Sequence, residues 1–394
     1  VIAAVNTVLL LVALGGVPAA GYLLLATLLS ARARPPPRSS RTVKFDVFVP
    51  AHNELPVIER VVASLKRLDW PADQYRIIVI ADNCTDATAA LARNAGAQVF
   101  ERHEPGLRGK GYALAYAFAR SAMEAWADAV VVIDADAEAS PNLLESFAAR
   151  IERGAPAVQA HYGVLNPMAS WRTRLMTIAT AAFHIVRSRA RERLRLSCGI
   201  RGNGWCVTHQ LLRRVPYRAF SLAEDLEYGI EIGLAGGRVH YADEAHSNAD
   251  MVSSEQIANK QRQRWEQGRF QLIRAKTPLL LRAALARHSV VCLDLALDLL
   301  VLPLSYVVLG IAALLVLAAV ASWWQPLLLP WFFLGMASLG AVALYVLRGW
   351  QLSGIGARGL VDLARAPLFL VWKLLLLLKR RTASEWIRTE REKP

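Results

Sequence analysis

The run Val130-Val-Val-Ile133, followed at once by Asp134 and Asp136, constrains this chain more than any other stretch. Four β-branched apolar residues in succession leave no polar face, so they read as a buried strand. Open α/β sheets bind ligands just beyond the carboxyl ends of their strands. Two acids spaced i and i+2 at such an edge can both turn toward one divalent cation. Hard cations such as Mg2+ take oxygen ligands and are often held by one or two carboxylates plus substrate phosphates. The pair therefore reads as a metal–diphosphate site. The alternative is a solvated turn, where Asp is common.

The surroundings of this strand set the fold class. Phe45 to Val49, Tyr75 to Ile80 and Gln98 to Phe100 read as further strands, and helical apolar spacing fills Leu55–Leu68, Asp86–Ala95 and Gly109–Trp126. Strands alternating with helices at this spacing imply an α/β domain with a mainly parallel, doubly wound sheet. Asp82 and the Asp134/Asp136 pair would then share one rim.

The chain as a whole is 54% hydrophobic, with apolar blocks at both ends and a charged middle, which predicts a soluble domain tethered by membrane helices. Val1 to Ser30 carries no charge and is long enough to span a bilayer. It lacks the basic start of a signal peptide. The sequence opens at Val1 without Met, so residues are expected to precede it. Arg32, Arg34, Arg38 and Arg41 follow around Pro35-Pro36-Pro37, which places this stiff linker on the cytoplasmic side. Ser289 to Ala321 reads as one span with an amphipathic entry, and Leu327 to Leu347 as the return, with Trp323, Trp324 and Trp331 at the far interface. Gly356 to Leu378 reads as an interfacial helix, with a fourth crossing as the alternative, and Lys379-Arg380-Arg381 begins a cytoplasmic tail. The net charge of +14 admits a nucleic-acid reading, but arginines beside apolar blocks suit an anionic membrane face, and no nucleic-acid partner is expected. Cys84, Cys198, Cys206 and Cys292 form no C-x-x-C pair, which argues against a zinc site or a disulfide framework.

Smaller signals remain. Gly106-Leu-Arg-Gly109-Lys110-Gly111 is not a P-loop, because no Ser or Thr follows the Lys, yet it could cradle phosphate at a helix start with Lys110 as a point charge. Gly202-Asn203-Gly204 reads as a tight turn whose backbone approaches something closely. Trp171 to Leu196 is helical and rich in arginine, with a solvated face as the favoured reading and a membrane-surface helix as the other. Glu224-Asp225 is either a helix start or a general base. Ser253 with Gln256 fits a capping box, and beyond it Gln261, Arg264 and Trp265 fall at i, i+3 and i+4 on one helical face. That face suits either an interfacial anchor or a sugar and a phosphate. Asp294 and Asp298 are read as headgroup-level acids, with an intramembrane functional role as the alternative.

In order, the set is Val49-Pro-Ala-His-Asn53-Glu54, Ala81-Asp82-Asn83, Gly109-Lys110-Gly111, Asp134-Ala-Asp136, Gly202-Asn-Gly204, Glu224-Asp225 and Gln261-x-x-Arg264-Trp265. This set resembles the membrane-bound family 2 glycosyltransferases of the cellulose, hyaluronan and chitin synthase and ceramide glucosyltransferase type, over roughly Phe45 to Arg269. The resemblance implies a GT-A, Rossmann-like domain that transfers a sugar, with inversion, from a nucleotide-diphosphate sugar (a UDP-sugar by family preference) to a polysaccharide or glycolipid acceptor. It implies donor binding by Glu54, Asp82, Lys110, Asp134, Asp136 and Arg264, and Mg2+ or Mn2+ at Asp134 and Asp136. It implies Asp225 as the catalytic base, and Gly202, Asn203, Gly204, Gln261 and Trp265 on the acceptor side. Two positions depart from the family pattern: Ala223 stands for a threonine, and His52 precedes Asn53-Glu54.

The organisation expected is a membrane helix over 1–30, a basic linker over 31–44, the cytosolic GT-A domain with interfacial helices over 45–285, two membrane helices over 286–348 and an interfacial helix with a tail over 349–394. The setting expected is a bacterial inner membrane, with a partner subunit or a second copy as an open option. The rival reading is a non-catalytic protein that binds a nucleotide sugar and regulates a partner synthase. The presence of Asp225 speaks against it, since binding alone needs no base.

Overall fold

The computed structural model describes residues 1–251 and 255–365, and the side chains of these except 255–262. The Ser253–Gln256 capping box, the Gln261 side chain, the run Ala366–Trp372 and the basic tail from Lys379 lie outside the described residues.

Among the described residues, eight strands form one sheet: β1 (Phe45–Ala51), β2 (Tyr75–Asp82), β3 (Gln98–Arg102), β4 (Ala129–Val132), β5 (Ala137–Ala139), β6 (Ala157–Val164), β7 (Trp205–Thr208) and β8 (Val239–Ala249). Their order is β3-β2-β1-β4-β7-β6-β8-β5. β1 to β4 pair in parallel through β3/β2, β2/β1 and β1/β4, as the alternation of strands and helices requires. β7 enters antiparallel between β4 and β6, β6 runs parallel to β8, and the short β5 closes the edge antiparallel to β8. Both faces are covered. On β1, Val47 and Val49 pack with the helices Ile58–Leu65 and Leu143–Ile151, while Phe48 packs on the other side with the helix Lys110–Glu124. Val131 and Val130 divide the same way on β4. A strand buried on both faces is the structural reason for the unbroken apolar run before Asp134. All four cysteines are free.

Among the described residues outside this domain, two helices are long and apolar enough to cross a membrane, Leu304–Trp324 and Pro326–Ser353. The expected N-terminal helix is broken. Ile2–Leu14 and Val17–Leu28 bend by 42° at Gly15-Gly16, and the pair is apolar enough to count together as one further span. The segment read as one span from Ser289 is also divided, into Val290–Leu300 and Leu304–Trp324, with Pro303 at the start of the second. Among the described residues, the C-terminal interfacial segment contributes the short helix Ala357–Leu363.

The arginine-rich segment departs furthest from expectation. It is helical over Trp171–Thr180 and Arg187–Arg193, with a π-helical stretch, Ala181–Val186, between them. Arg187 and Arg191 do not form a solvated face: they are 5% and 2% exposed. They pair with Asp298, and Arg191 also with Asp294, at 2.9–3.1 Å. The two acids expected at headgroup level are therefore buried in ion pairs. A helical period cannot reveal this, because the partners come from a segment about a hundred residues away.

Candidate active site

The site grows from the carboxyl rim of the sheet. β4 ends at Val132, and the chain turns so that Asp134 and Asp136 are partly exposed while Ala135 between them is 4% exposed. The turn is held by Asn203, whose Oδ1 accepts the Asp134 amide at 3.0 Å and the Ser247 hydroxyl at 3.0 Å. Gly204 donates its amide to the Val132 carbonyl at 3.0 Å. Gln159 Nε2 donates to the carbonyl of Asn203 at 2.7 Å. The Gly202-Asn203-Gly204 turn is thus welded to the Asp134 loop by hydrogen bonds. Asn203 itself is fully buried, which makes it a structural clamp and not an exposed acceptor contact.

Lys110 joins the two segments. It is the first residue of the helix Lys110–Glu124, and its ammonium donates to Asp134 Oδ1 and to the Gly202 carbonyl, each at 2.5 Å. Burial alone would lower its pKa. The carboxylates of Asp134, Glu224 and Asp225 outweigh burial and hold it above its ordinary value.

Glu224 and Asp225 begin the helix Glu224–Leu234. Asp225 faces the Gly202 turn: a Cβ placed on Gly202, where φ is +87°, would lie 3.2 Å from Asp225 Oδ2. Burial raises both carboxyls. Asp225 is relieved in part by the Leu226 amide, Lys110 and Arg201, whereas Glu224, further raised by Asp225, is pushed up to about 7. A helix start rich in acid is the local preference; here Asp225 also faces the Gly202 turn.

Glu54 and Asp82 form the next part of the rim. The Glu54 amide donates to Thr88 Oγ1 at 2.9 Å, and His52 Nδ1 contacts the Asp82 carbonyl at 2.7 Å. Asp82 does not stand open. Its Oδ1 accepts from Arg102 Nη1 at 2.6 Å and from Asn83 Nδ2 at 3.1 Å. Arg102, at the end of β3, was not singled out in the sequence: a lone arginine after a strand carries no signal.

The helix Glu255–Ala286 carries Arg264 and Trp265. It presses on the residue before Glu224, since a Cβ on Gly268 would sit 3.0 Å from Ala223 Cβ. Trp265 is 41% exposed, and Arg264 Nε is buried without a hydrogen-bond partner. The structure therefore unites Lys110, Asp134, Gly202 and Asp225, sets Asp82 and Glu54 in adjoining loops, and links Arg264 and Trp265 through the Ala223 contact.

The family model for "Glycosyltransferase like family 2" matches residues 43–268, more than half of the chain and all of this rim. The chain belongs to that family. The glycosyltransferase is 26% identical over 239 residues to "Probable glycosyltransferase YdaM" of Bacillus subtilis (strain 168), covering 57% of this chain and 55% of that one. It is 27% identical over 238 residues to "Beta-monoglucosyldiacylglycerol synthase" of Synechocystis sp., covering 57% of this chain and 47% of that one. It thus spans about half the length of these relatives. Its fold is similar to that of mannosyltransferase PcManGT from Pyrobaculum calidifontis, solved in complex with GDP-Man and Mn2+, at TM-score 0.53 and 20% identity, covering 88% of this chain and 99% of that one. The domain is of the GT-A type.

Proposed function

We propose that this glycosyltransferase moves a sugar, with inversion, from a nucleotide-diphosphate sugar of the UDP class to a hydroxyl of a glycan or glycolipid at a membrane surface. The observation that carries this reading is the meeting of Lys110, Asp134, the Gly202 carbonyl and Asp225 at one point. A cation for the donor phosphates, a carboxylate for a metal and a candidate base stand where a sugar–diphosphate bond would be broken.

The residues present fit a divalent metal. Asp134 and Asp136 are partly exposed on one rim, and no cluster of three or more His, Cys, Asp or Glu ligands occurs among the described residues. Such a pair would hold Mg2+ or Mn2+ with the donor's diphosphate oxygens as further ligands. The bound metal would neutralise charge growing on the leaving diphosphate. Lys110 and Arg264 would share that task as fixed positive charges. Asp225 would take the proton from the acceptor hydroxyl as that hydroxyl attacks the anomeric carbon, which is worth roughly 10²–10⁴-fold in rate. One in-line displacement inverts the centre. Glu54 and Asp82 would contact the nucleoside, with Arg102 fixing the Asp82 carboxylate. Gly202 and Gly204 would shape the acceptor side, with Asn203 clamping their turn from beneath, joined by Gln261 and Trp265.

The linker arginines Arg32, Arg34, Arg38 and Arg41 support a cytoplasmic catalytic domain with the apolar helices in the membrane. The names of the relatives YdaM and the monoglucosyldiacylglycerol synthase support glycosyl transfer and, in the second case, a lipid acceptor. The test is release of nucleoside diphosphate from a panel of nucleotide sugars by the lipid-reconstituted protein, with and without Mn2+ or Mg2+. Metal-dependent release from one donor supports the reading. Donor binding with no release, in the presence of lipid and glycan acceptors, would favour a non-catalytic binder.

A further inference from the structure

Behind the Gly202 turn lies a second charged cluster that the transfer chemistry does not use. Asp298 is ringed by four arginines. Arg187 Nη1 and Arg191 Nη2 lie 2.9 and 3.1 Å from its Oδ1, and Arg201 Nη1 lies 3.7 Å from its Oδ2. Arg269 donates to its backbone carbonyl and, at 2.9 Å, to that of Val301. Asp294 pairs with Arg191 and accepts from the Tyr22 hydroxyl at 3.0 Å. Four guanidiniums thus share two carboxylates.

The imbalance is visible atom by atom. Nε and Nη2 of Arg201, Nη1 of Arg191 and Nε of Arg269 are buried with no hydrogen-bond partner, and the side chains of Arg201 and Arg191 are only 4% and 3% exposed. Burying a charge is costly unless it is paired and hydrogen-bonded. Burial lowers the pKa of Arg201 and pushes Arg269 down to about 10 despite Asp298. Burial is the leading cause of both shifts, whereas Asp298, Tyr22 and Asp294 outweigh burial at Arg191 and hold it above its ordinary value. The guanidiniums of Arg201 and Arg187 also lie over the Phe183 ring, at 4.4 and 4.9 Å from its centre, and Phe183 belongs to the π-helical stretch that interrupts the arginine-rich helices. Such stretches occur often at functional sites.

The position names the ligand class. Tyr345, which accepts from Arg187 at 3.1 Å, lies near the end of the apolar helix Pro326–Ser353. In the same region Arg348 donates to the Ser30 hydroxyl at 2.9 Å, where the N-terminal apolar pair ends. The cluster therefore sits where the ends of these apolar helices meet the soluble domain. Arginine's fork matches phosphate oxygens.

We propose that Arg201, Arg191 and Arg269 form a binding site for the phosphate group of an anionic membrane lipid, directly behind the catalytic turn. The site stands independently of sugar transfer. Arg201 precedes Gly202, so an occupied site would also brace the turn that receives Lys110 and faces Asp225.

The test uses the full chain in nanodiscs of phosphatidylcholine with or without phosphatidylglycerol, followed by native mass spectrometry of retained lipid. The wild type is expected to retain phosphatidylglycerol over phosphatidylcholine by about tenfold or more, the ratio that about 1.4 kcal/mol gives. Arg201→Gln and Arg269→Gln should lose that preference, and the exposed control Arg282→Gln should keep it. The second cluster variant keeps the test open where the first does not fold, and the wild-type ratio stands without either. Equal retention of both lipids by the wild type would overturn the site. So would equal loss of preference in Arg282→Gln. Inorganic phosphate that stabilised the protein against heat as much as phosphatidylglycerol would overturn the lipid assignment in favour of a soluble phosphate.

Discussion

The ammonium of Lys110 lies 2.5 Å from Oδ1 of Asp134 and, by a second bond of the same length, holds the Gly202 carbonyl. One side chain thus ties the metal-type acids to the turn that faces the candidate base. Replacing it with an isosteric apolar chain tests that tie. Lys110→Met is expected to weaken donor binding and to lower transfer by about 10²–10³-fold, the usual cost of removing a preorganised charge-stabilising group. Initial rates across donor concentration, with a donor titration, separate the two effects. Wild-type transfer in this variant would remove Lys110 from the site.

The acidic pair should set the pH dependence. Glu224 is pushed up to about 7, so near neutrality it holds a proton part of the time, whereas an ordinary carboxyl would already be ionised. Base catalysis needs Asp225 ionised, and burial raises its carboxyl beside Glu224, so kcat/KM is expected to rise with pH above the ordinary carboxylate range. Glu224→Gln removes the group that retains the proton, and the rising limb should move to lower pH, toward the less strongly raised Asp225. A limb that stays in place in Glu224→Gln would assign it to another group.

The turn at Gly202 combines a left-handed φ of +87° with the approach to Asp225. An L-residue there costs roughly 1–2 kcal/mol from backbone alone. Gly202→Ala should lower the melting temperature by a few degrees, about 2–4 °C per kcal/mol for a domain of this size. It should reduce transfer more than that loss of stability explains, because the new methyl group crowds the Asp225 carboxylate. Differential scanning fluorimetry beside rate measurements checks both.

Arg102 and Asp82 form a pair whose side chains are 6% and 7% exposed. Removing one member of a buried pair leaves an uncompensated charge and costs about 3–5 kcal/mol. Arg102→Leu is therefore expected to destabilise the fold strongly, whereas the double variant Arg102→Leu/Asp82→Leu should recover much of the loss. Denaturant melts of the two variants decide this. If the double variant keeps normal donor binding, Asp82 has no nucleoside role.

The parts legible in the sequence were those written in local pattern. The apolar run before Asp134 announced a doubly covered strand, and β1 to β4 fall where period and punctuation put them. The Lys110 helix start and the Glu224-Asp225 helix start were equally readable. What pattern could not carry was pairing across distance. Nothing local to Asp82 points to Arg102, and nothing in the arginine-rich segment points to Asp294 and Asp298. Buried ion pairs look like solvated charge until the partner is seen, because a charged residue's period is the same in either setting. The antiparallel entry of β7 between β4 and β6 was hidden for the same reason: a short strand carries no record of its neighbour.

Asp225 carries the central claim. The decisive measurement compares donor binding and sugar transfer in Asp225→Asn with the wild type, in lipid and with metal present. The account predicts donor affinity within about twofold of wild type, and transfer reduced by roughly 10²-fold or more, the range lost with a general base. Wild-type turnover by Asp225→Asn would contradict it, and the proton would then have to leave through another group.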